Sequence, residues 1–396
     1  MPFLNDLFWF GPSRIESVTS CGSQLRTVEG RVRAVSVPKS IRYAGATMKF
    51  GLQFFPTVSP KTKAASQYFR ESLELVELCD PLGYTHIRTV EHYFRDYGGY
   101  SPNPLLFLSA ASQKAKHARL IAGCVVPAFN SPLKLAGEIG MLDAISGGRL
   151  EVGFARAFLP HEFEAFGIPL DESRERFLEG INQIRRLLEE ENVSTQGRFH
   201  SFKDVTSLPR PTQAPRPPFW IAAFATPDSF AEAGRAGYGV MAIPLSGAKM
   251  QELIGQYREA WKSANHPGEG RVMQAFYMLC AERTEDAIRL AAEPIEAYLR
   301  SLQSAASEWT YRAPSNDYPN YKGLVESLGR ENLSSQIAKG AAWVGSAADI
   351  CDAISDYSQK VGFDVASLQV NFSALPVDIA RQSMGLFSRQ VMPYFC

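Results

Sequence analysis

The sequence predicts an α/β protein folded as a (β/α)8 TIM barrel with inserted loop segments. Three observations carry this expectation. From Met48 onward, short apolar runs alternate with longer stretches whose apolar residues recur at helical spacing. The links between the apolar runs are too long for hairpins, which implies parallel strands covered by helices. About eight strand–helix pairs follow one another, in a chain longer than the about 250 residues that such a barrel typically needs.

The elements follow in order. "MKFGLQFF" is short, apolar and aromatic, the pattern of a buried strand, and "KTKAASQYFRESLELVELCDPLG" is a helix that stops at Pro81 and Gly83. "YTHIRTV" is the next strand and "NPLLFLSAASQKAK" its helix; "ARLIAGCVV" and "SPLKLAGEIGMLDAIS" form the third pair, closed by Gly147-Gly148. "RLEVGFA" leads to the amphipathic "SRERFLEGINQIRRLLEEE". "PFWIAA", "SFAEAGRAGYG", "VMAIP", "AKMQELIGQYREAWKSA" and "MQAFYMLCAE" continue the alternation; "SLQVNF" and "PVDIARQSMGLFSRQVMPYF" close it. Two excursions interrupt the series: a Pro-rich loop, "GRFHSFKDVTSLPRPTQAPRPP", and a turn-rich, aromatic segment around residues 304–328 that reads as a mobile lid. An open doubly wound sheet is the runner-up, but no GxGxxG follows the first strand.

Of the 396 residues, 45% are hydrophobic and 21% charged, and Lys plus Arg balances Asp plus Glu at 41 each. That balance offers no basic surface for nucleic acid or an anionic membrane, and no apolar run is long enough to span a bilayer. Six scattered cysteines (Cys21, Cys79, Cys124, Cys280, Cys351, Cys396) form no CxxC pair, which speaks against a zinc ribbon or disulfide scaffold and for a reducing cytoplasm. Six dispersed histidines show no HExxH spacing, so no metal site is expected. Residues 1–47 lack sustained periodicity and read as a poorly ordered N-terminal extension ahead of a barrel domain over 48–396. An early Asp6 and the lack of a compact apolar core do not match the pattern expected of a secretory signal, and Glu16 and Glu29 suit an organelle transit segment badly.

In a barrel of this kind, functional residues stand at the carboxyl ends of the strands. "TVEHYF" puts His92 there, an imidazole able to take or give a proton near neutral pH; packing is the bland alternative. Glu91 alternates to the other strand face, so adjacency alone makes no pair. Arg156 closes "EVGFAR", either as a phosphate clamp or as a partner of Glu162 or Glu164. Thr226-Pro227-Asp228-Ser229 is a helix start with Thr226 as cap, and such a start after a late strand also suits phosphate. Gly123-Cys124 ends a strand where glycine marks a bulge or a close approach; Cys124 has no basic neighbour to activate it.

Together these segments resemble the bacterial luciferase-like, flavin-dependent monooxygenase family. The family's "EHHF" appears as "EHYF", its "GRxxxGxxRG" as "GRLEVGFARA", and its "PRPxQxPRPPxWxAA" as "PRPTQAPRPPFWIAA"; "GSAADI" and "VGFDVASLQVNF" look like its closing helix and strand. The resemblance implies a luciferase-like barrel that takes reduced FMN from a separate flavin reductase and inserts one oxygen atom from O2 into a small organic substrate. It implies that His92 and Glu162 serve catalysis. It further implies that Arg156, Thr226 and Ser229 hold the FMN phosphate, with Gly123-Cys124, as a non-prolyl cis peptide, and Ala155 against the isoalloxazine. Phe54, Phe94 and Phe158 are expected to wall the substrate side, and helices near 102–145 to form a homodimer. Tyr93, Ala155 and Ala157 depart from the family's histidine, cysteine and glycine, so light emission is not expected. Two alternatives stay open: a deazaflavin-dependent oxidoreductase on the same barrel, and a non-catalytic flavin-binding subunit.

Overall fold

The computed structural model describes residues 48–396 apart from Ala313, Pro314, Asn316, Pro319, Asn320 and the side chain of Leu324. The N-terminal 47 residues, expected as a poorly ordered extension, lie outside the described residues.

The chain runs β1 (Lys49–Phe54), α1 (Ala65–Glu77), β2 (His86–Thr89), α2 (Pro104–Lys114), β3 (Arg119–Val125), α3 (Pro132–Ile145) and β4 (Leu150–Phe154). A short α4 (Pro160–Ala165) and the long α5 (Ser173–Glu189) follow, then a hairpin of β5 (Val193–Gln196) and β6 (Ser201–Val205). Next come β7 (Phe219–Ala222), α6 (Pro227–Arg235), β8 (Gly239–Ala242), α7 (Gly247–Ser263), β9 (Val272–Cys280) and α8 (Thr284–Ala306). The chain closes with α9 (Tyr321–Leu328), α10 (Leu333–Ala338), β10 (Ala342–Gly345), α11 (Ala347–Lys360), β11 (Val365–Gln369) and α12 (Val377–Gln390).

Eight parallel strands form a closed ring in the order β1-β2-β3-β4-β7-β8-β9-β11, sealed by the pairing of β11 with β1. Strand β10 stands outside it and pairs only with the carboxyl half of β9, beyond the residues of β9 that pair with β8. Two features escape the sequence pattern. α8 runs through Pro294, where a proline ordinarily signals a break, and β10 is four residues long. The Pro-rich excursion contains β6, which pairs with β5 just ahead of it, and is tied down by Arg210, which donates to the carbonyls of Leu187, Leu188 and Glu190 at the end of α5.

Strand alternation builds two cores. Outward-facing Phe50, Leu52 and Phe54 pack against the helices, Phe50 edge-on to Phe387 of α12. Inside the ring, Ile121, Trp220, Met241, Met273 and Val365 make a separate apolar plug. Below it Glu151 accepts hydrogen bonds from Arg119, Arg271 and Trp220. Above it comes a polar layer of Gln53, Arg88, Ser367 and Gln369, and then the open carboxyl end. The consecutive ring positions of β2, β3, β4 and β7 bring four carboxyl-terminal loops side by side.

Candidate active site

These loops surround a cavity of about 460 Å³. His92 follows β2, Gly123 and Cys124 end β3, Ala155 and Arg156 follow β4, and Thr226 and Ser229 begin α6; all seven line it. Glu162 does not line the cavity. Its side chain, 1% exposed, lies behind His92 at the first turn of α4.

The imidazole of His92 is fixed from several sides. One carboxylate oxygen of Glu162 accepts from Nδ1 of His92 at 3.1 Å and from the backbone N–H of Tyr93 at 2.9 Å. A carboxylate only accepts, so Nδ1 carries the proton and Nε2 is left for the cavity. The rings of Phe55, Tyr97 and Phe158 hold the imidazole plane at centroid distances of 5.5, 5.0 and 6.2 Å. Gly98, at φ +78°, passes so close that a Cβ there would stand 2.5 Å from the Cβ of His92.

Glu91 does reach the cavity wall, contrary to what alternation suggested, because the chain leaves the strand after Thr89. Its carboxylate accepts from the hydroxyl of Tyr93 at 2.5 Å, from the N–H of Val126 at 3.0 Å and from Asn130 at 3.0 Å, joining the β2 and β3 loops. Burial outweighs these donors and pushes the carboxyl up to about 7. Tyr93, where the family has a second histidine, thus serves Glu91.

Arg156 pairs with neither Glu162 nor Glu164. It donates to the carbonyl of Asp317 at 2.9 Å and lies 4.7 Å from the ring centre of Tyr318. Thr226 occupies the N-cap position of α6 but makes no side-chain cap bond, which corrects its reading as a cap. Its hydroxyl and that of Ser229 donate to no protein atom among the described residues, and no side chain caps α6, whose Ser229 N–H donates to the carbonyl of Thr226 at 3.1 Å. Hydroxyls, a helix start and a guanidinium that line one cavity have the chemistry that suits a phosphate group. Sequence reasoning missed Arg174, Asn182 and Arg185 of α5, which line the same cavity. Their signal was faint, because on a long amphipathic helix an arginine reads as solvent-facing.

The Gly123–Cys124 peptide is cis. The register of β3 against β4 shifts between Gly123 and Val125, in keeping with the bulge reading of Gly123, and the side chain of Arg88 also comes close, with Nε 2.4 Å from a Cβ added there. Cys124 is a packed thiol, pushed by burial up to about 12, beside the sulfur of Met241 at 3.6 Å. Ala157, where the family has glycine, takes φ +63°, a conformation that an L-residue adopts at some cost.

Two of the three expected aromatic walls are corrected. Phe54 points outward to Phe107, because it alternates to the helix side of β1; Phe94 is 63% exposed and packs at a tilt against Tyr93 and Phe166 outside the cavity. Phe158 lines the cavity, and Phe55 stands there instead of Phe54. The segment around residues 304–328 lies against the rim: Trp309 donates to the carbonyl of Phe158 at 2.8 Å, Tyr318 to that of Ala157 at 3.0 Å, and Ser173 to the carboxylate of Asp317 at 2.9 Å. Tyr321 and Leu328 face the cavity. No cluster of three or more His, Cys, Asp or Glu suited to a metal occurs among the described residues, and no described helix is long and apolar enough to cross a membrane.

A family model described as luciferase-like monooxygenase matches residues 48–364. The oxygenase component of a flavin-dependent trigonelline monooxygenase from Acinetobacter baylyi is 28% identical over 358 residues, 88% of this chain and 96% of that protein. The crystal structure of the monooxygenase RslO1 from Streptomyces bottropensis superposes with a TM-score of 0.79 at 41% identity, covering 88% of this chain and all of that one. The oxygenating constituent of 3,6-diketocamphane monooxygenase from Pseudomonas putida, in complex with FMN, shares the fold with a TM-score of 0.75 at 20% identity, over 88% of this chain and 99% of its own.

Proposed function

The chain belongs to the luciferase-like monooxygenase family, and from that premise we propose that it is the oxygenase of a two-component system that takes reduced FMN from a separate reductase. It is an oxidoreductase, a flavin-dependent monooxygenase that puts one oxygen atom of O2 into a small organic substrate. One observation carries the finer reading: His92, the Gly123–Cys124 peptide, Arg156, Thr226 and Ser229 all face one cavity.

Reduced FMN, when bound, supplies the activation of dioxygen and the transfer of one of its atoms. The protein does the rest. Arg156, Thr226, Ser229 and the start of α6 hold the phosphate at the cavity's edge, with Arg174 beside them. The Gly123–Cys124 peptide and Ala155 support the isoalloxazine. His92 presents Nε2 to the reacting atoms and accepts or returns a proton there, while Glu162 fixes the orientation of the ring through Nδ1. Phe55 and Phe158 form an apolar wall, and the segment around 304–328 keeps water out. The pairing of His92 with a buried carboxylate speaks against a non-catalytic subunit.

Exposed Leu133, Met141 and Ile145 lie on one face of α3, and Leu106 of α2 is 74% exposed on the neighbouring helix. This apolar surface supports a homodimer built on these helices.

Oxygen-dependent gain of one oxygen mass by a carbonyl or amine metabolite, with FMN and a reductase present, tests the activity. Tight deazaflavin binding without oxygen uptake would favour the hydride-transferring alternative. Arg156→Ala should weaken FMN binding and leave riboflavin binding little changed; an equal loss of both sinks the phosphate assignment.

A further inference from the structure

Arg88 has no part in the chemistry above, yet it holds an unmatched charge at the floor of the cavity. Among the described residues its guanidinium donates to Oε1 of Gln53 at 2.5 Å and lies against the neutral thiol of Cys124, and its Nε is buried without a partner. It forms no ion pair among the described residues. Arg149 shows the ordinary treatment of such a group: it donates to the carbonyls of Ser112, Ala115, Ala118 and Ser146. The ionisable groups whose electrostatics bear on Arg88 are Cys124, Tyr298 and Tyr97, all held neutral by burial. Gln53, Ser367 and Gln369 complete the layer and carry no charge. An arginine stays protonated even when buried, and an uncompensated buried charge is costly. The charge therefore calls for an anion, and the open side of Arg88 is the cavity.

The position of Arg88 indicates which anion. Its side chain packs directly on Gly123, with Nε, Cγ and Cδ at 2.4, 2.9 and 3.0 Å from a Cβ built there. A flat ring resting on the Gly123–Cys124 peptide lies within contact reach of the guanidinium. The pyrimidine edge of reduced flavin carries negative charge over N1 and the C2 carbonyl once N1 is deprotonated; the oxidised ring is neutral. We propose that Arg88 is the anion subsite for that edge, and that it makes the protein bind reduced FMN in preference to oxidised FMN. The proposal rests on the flavin site described above, and extends it to how an oxygenase fed by a separate reductase selects the useful redox form.

The test compares the affinities of the whole chain, its Arg88→Met and its Arg88→Lys variants for oxidised FMN and, anaerobically, for reduced FMN. Wild type should prefer reduced FMN. Arg88→Met should lower the ratio of the two affinities at least about tenfold, about 1.4 kcal/mol, and Arg88→Lys should restore part of it. An equal loss for both forms, or an undiminished preference, overturns the proposal while leaving the flavin site standing. Loss of benzoate binding with an unchanged flavin ratio would assign the charge to substrate and also overturn it. Failure of wild type to bind either form sinks the flavin reading itself. A measurement that needs no variant is the spectrum of reduced FMN bound to wild type: it should stay anionic at a pH where free reduced FMN is neutral, and a neutral spectrum there refutes the role of Arg88.

Discussion

Replacing Glu91 by Gln isolates the cost of one buried charge. The carboxyl sits on the cavity wall, takes hydrogen bonds from Tyr93, Val126 and Asn130, and is pushed by burial from 4.5 up to about 7. A raised acid pKa means that the folded protein prefers the protonated form. Between these two pH values the folded state holds a proton that the unfolded chain has released, so stability falls as pH rises. The contribution is fully present below pH 4.5 and is lost as pH rises through about 7. The shift corresponds to on the order of 3 kcal/mol. Glu91→Gln keeps the shape and cannot ionise. Denaturant titrations of both proteins from pH 4.5 to 8 should therefore show the stability difference moving by that order, in favour of the variant as pH rises. Parallel curves for the two proteins would mean that Glu91 is solvated or is already charged in the fold.

Glu162→Gln retains an oxygen able to accept from His92 and Tyr93 but removes the charge. Turnover with supplied reduced FMN should drop about ten- to a hundredfold, less than the roughly 10²–10⁴-fold expected for loss of the imidazole in His92→Ala; full activity would remove Glu162 from its positioning role. Gly123→Ala would push a methyl group against Arg88, and should cost about 1–3 kcal/mol in denaturation together with FMN affinity, whereas a stable variant that binds FMN normally would show that Arg88 has room to move. Met141→Glu places a charge in the exposed apolar face of α3. Sedimentation should then report a monomer where wild type is a dimer, and a wild type that is itself monomeric disposes of the interface.

The alternation of short apolar runs with amphipathic stretches determined the eight strands, their parallel sense and the end of the barrel that holds the site. Strand identity is a local property, since a run such as "RLEVGFA" is apolar whatever surrounds it. The placement of His92, Arg156, Thr226 and Ser229 just after strands followed from the same pattern, and the roles given to them came from the resemblance. The tertiary structure alone decided which groups meet. Glu162 comes to His92 from 70 residues along the chain, and Arg88 is set against Gly123 by the pairing of β2 with β3. The side on which Phe54 and Phe55 emerge depends on the position at which β1 ends, a matter of one residue. Period 2 and period 3.6 are written along the chain, but ring closure, depth and the pairing of buried charges depend on contacts between distant segments, and no local pattern encodes those.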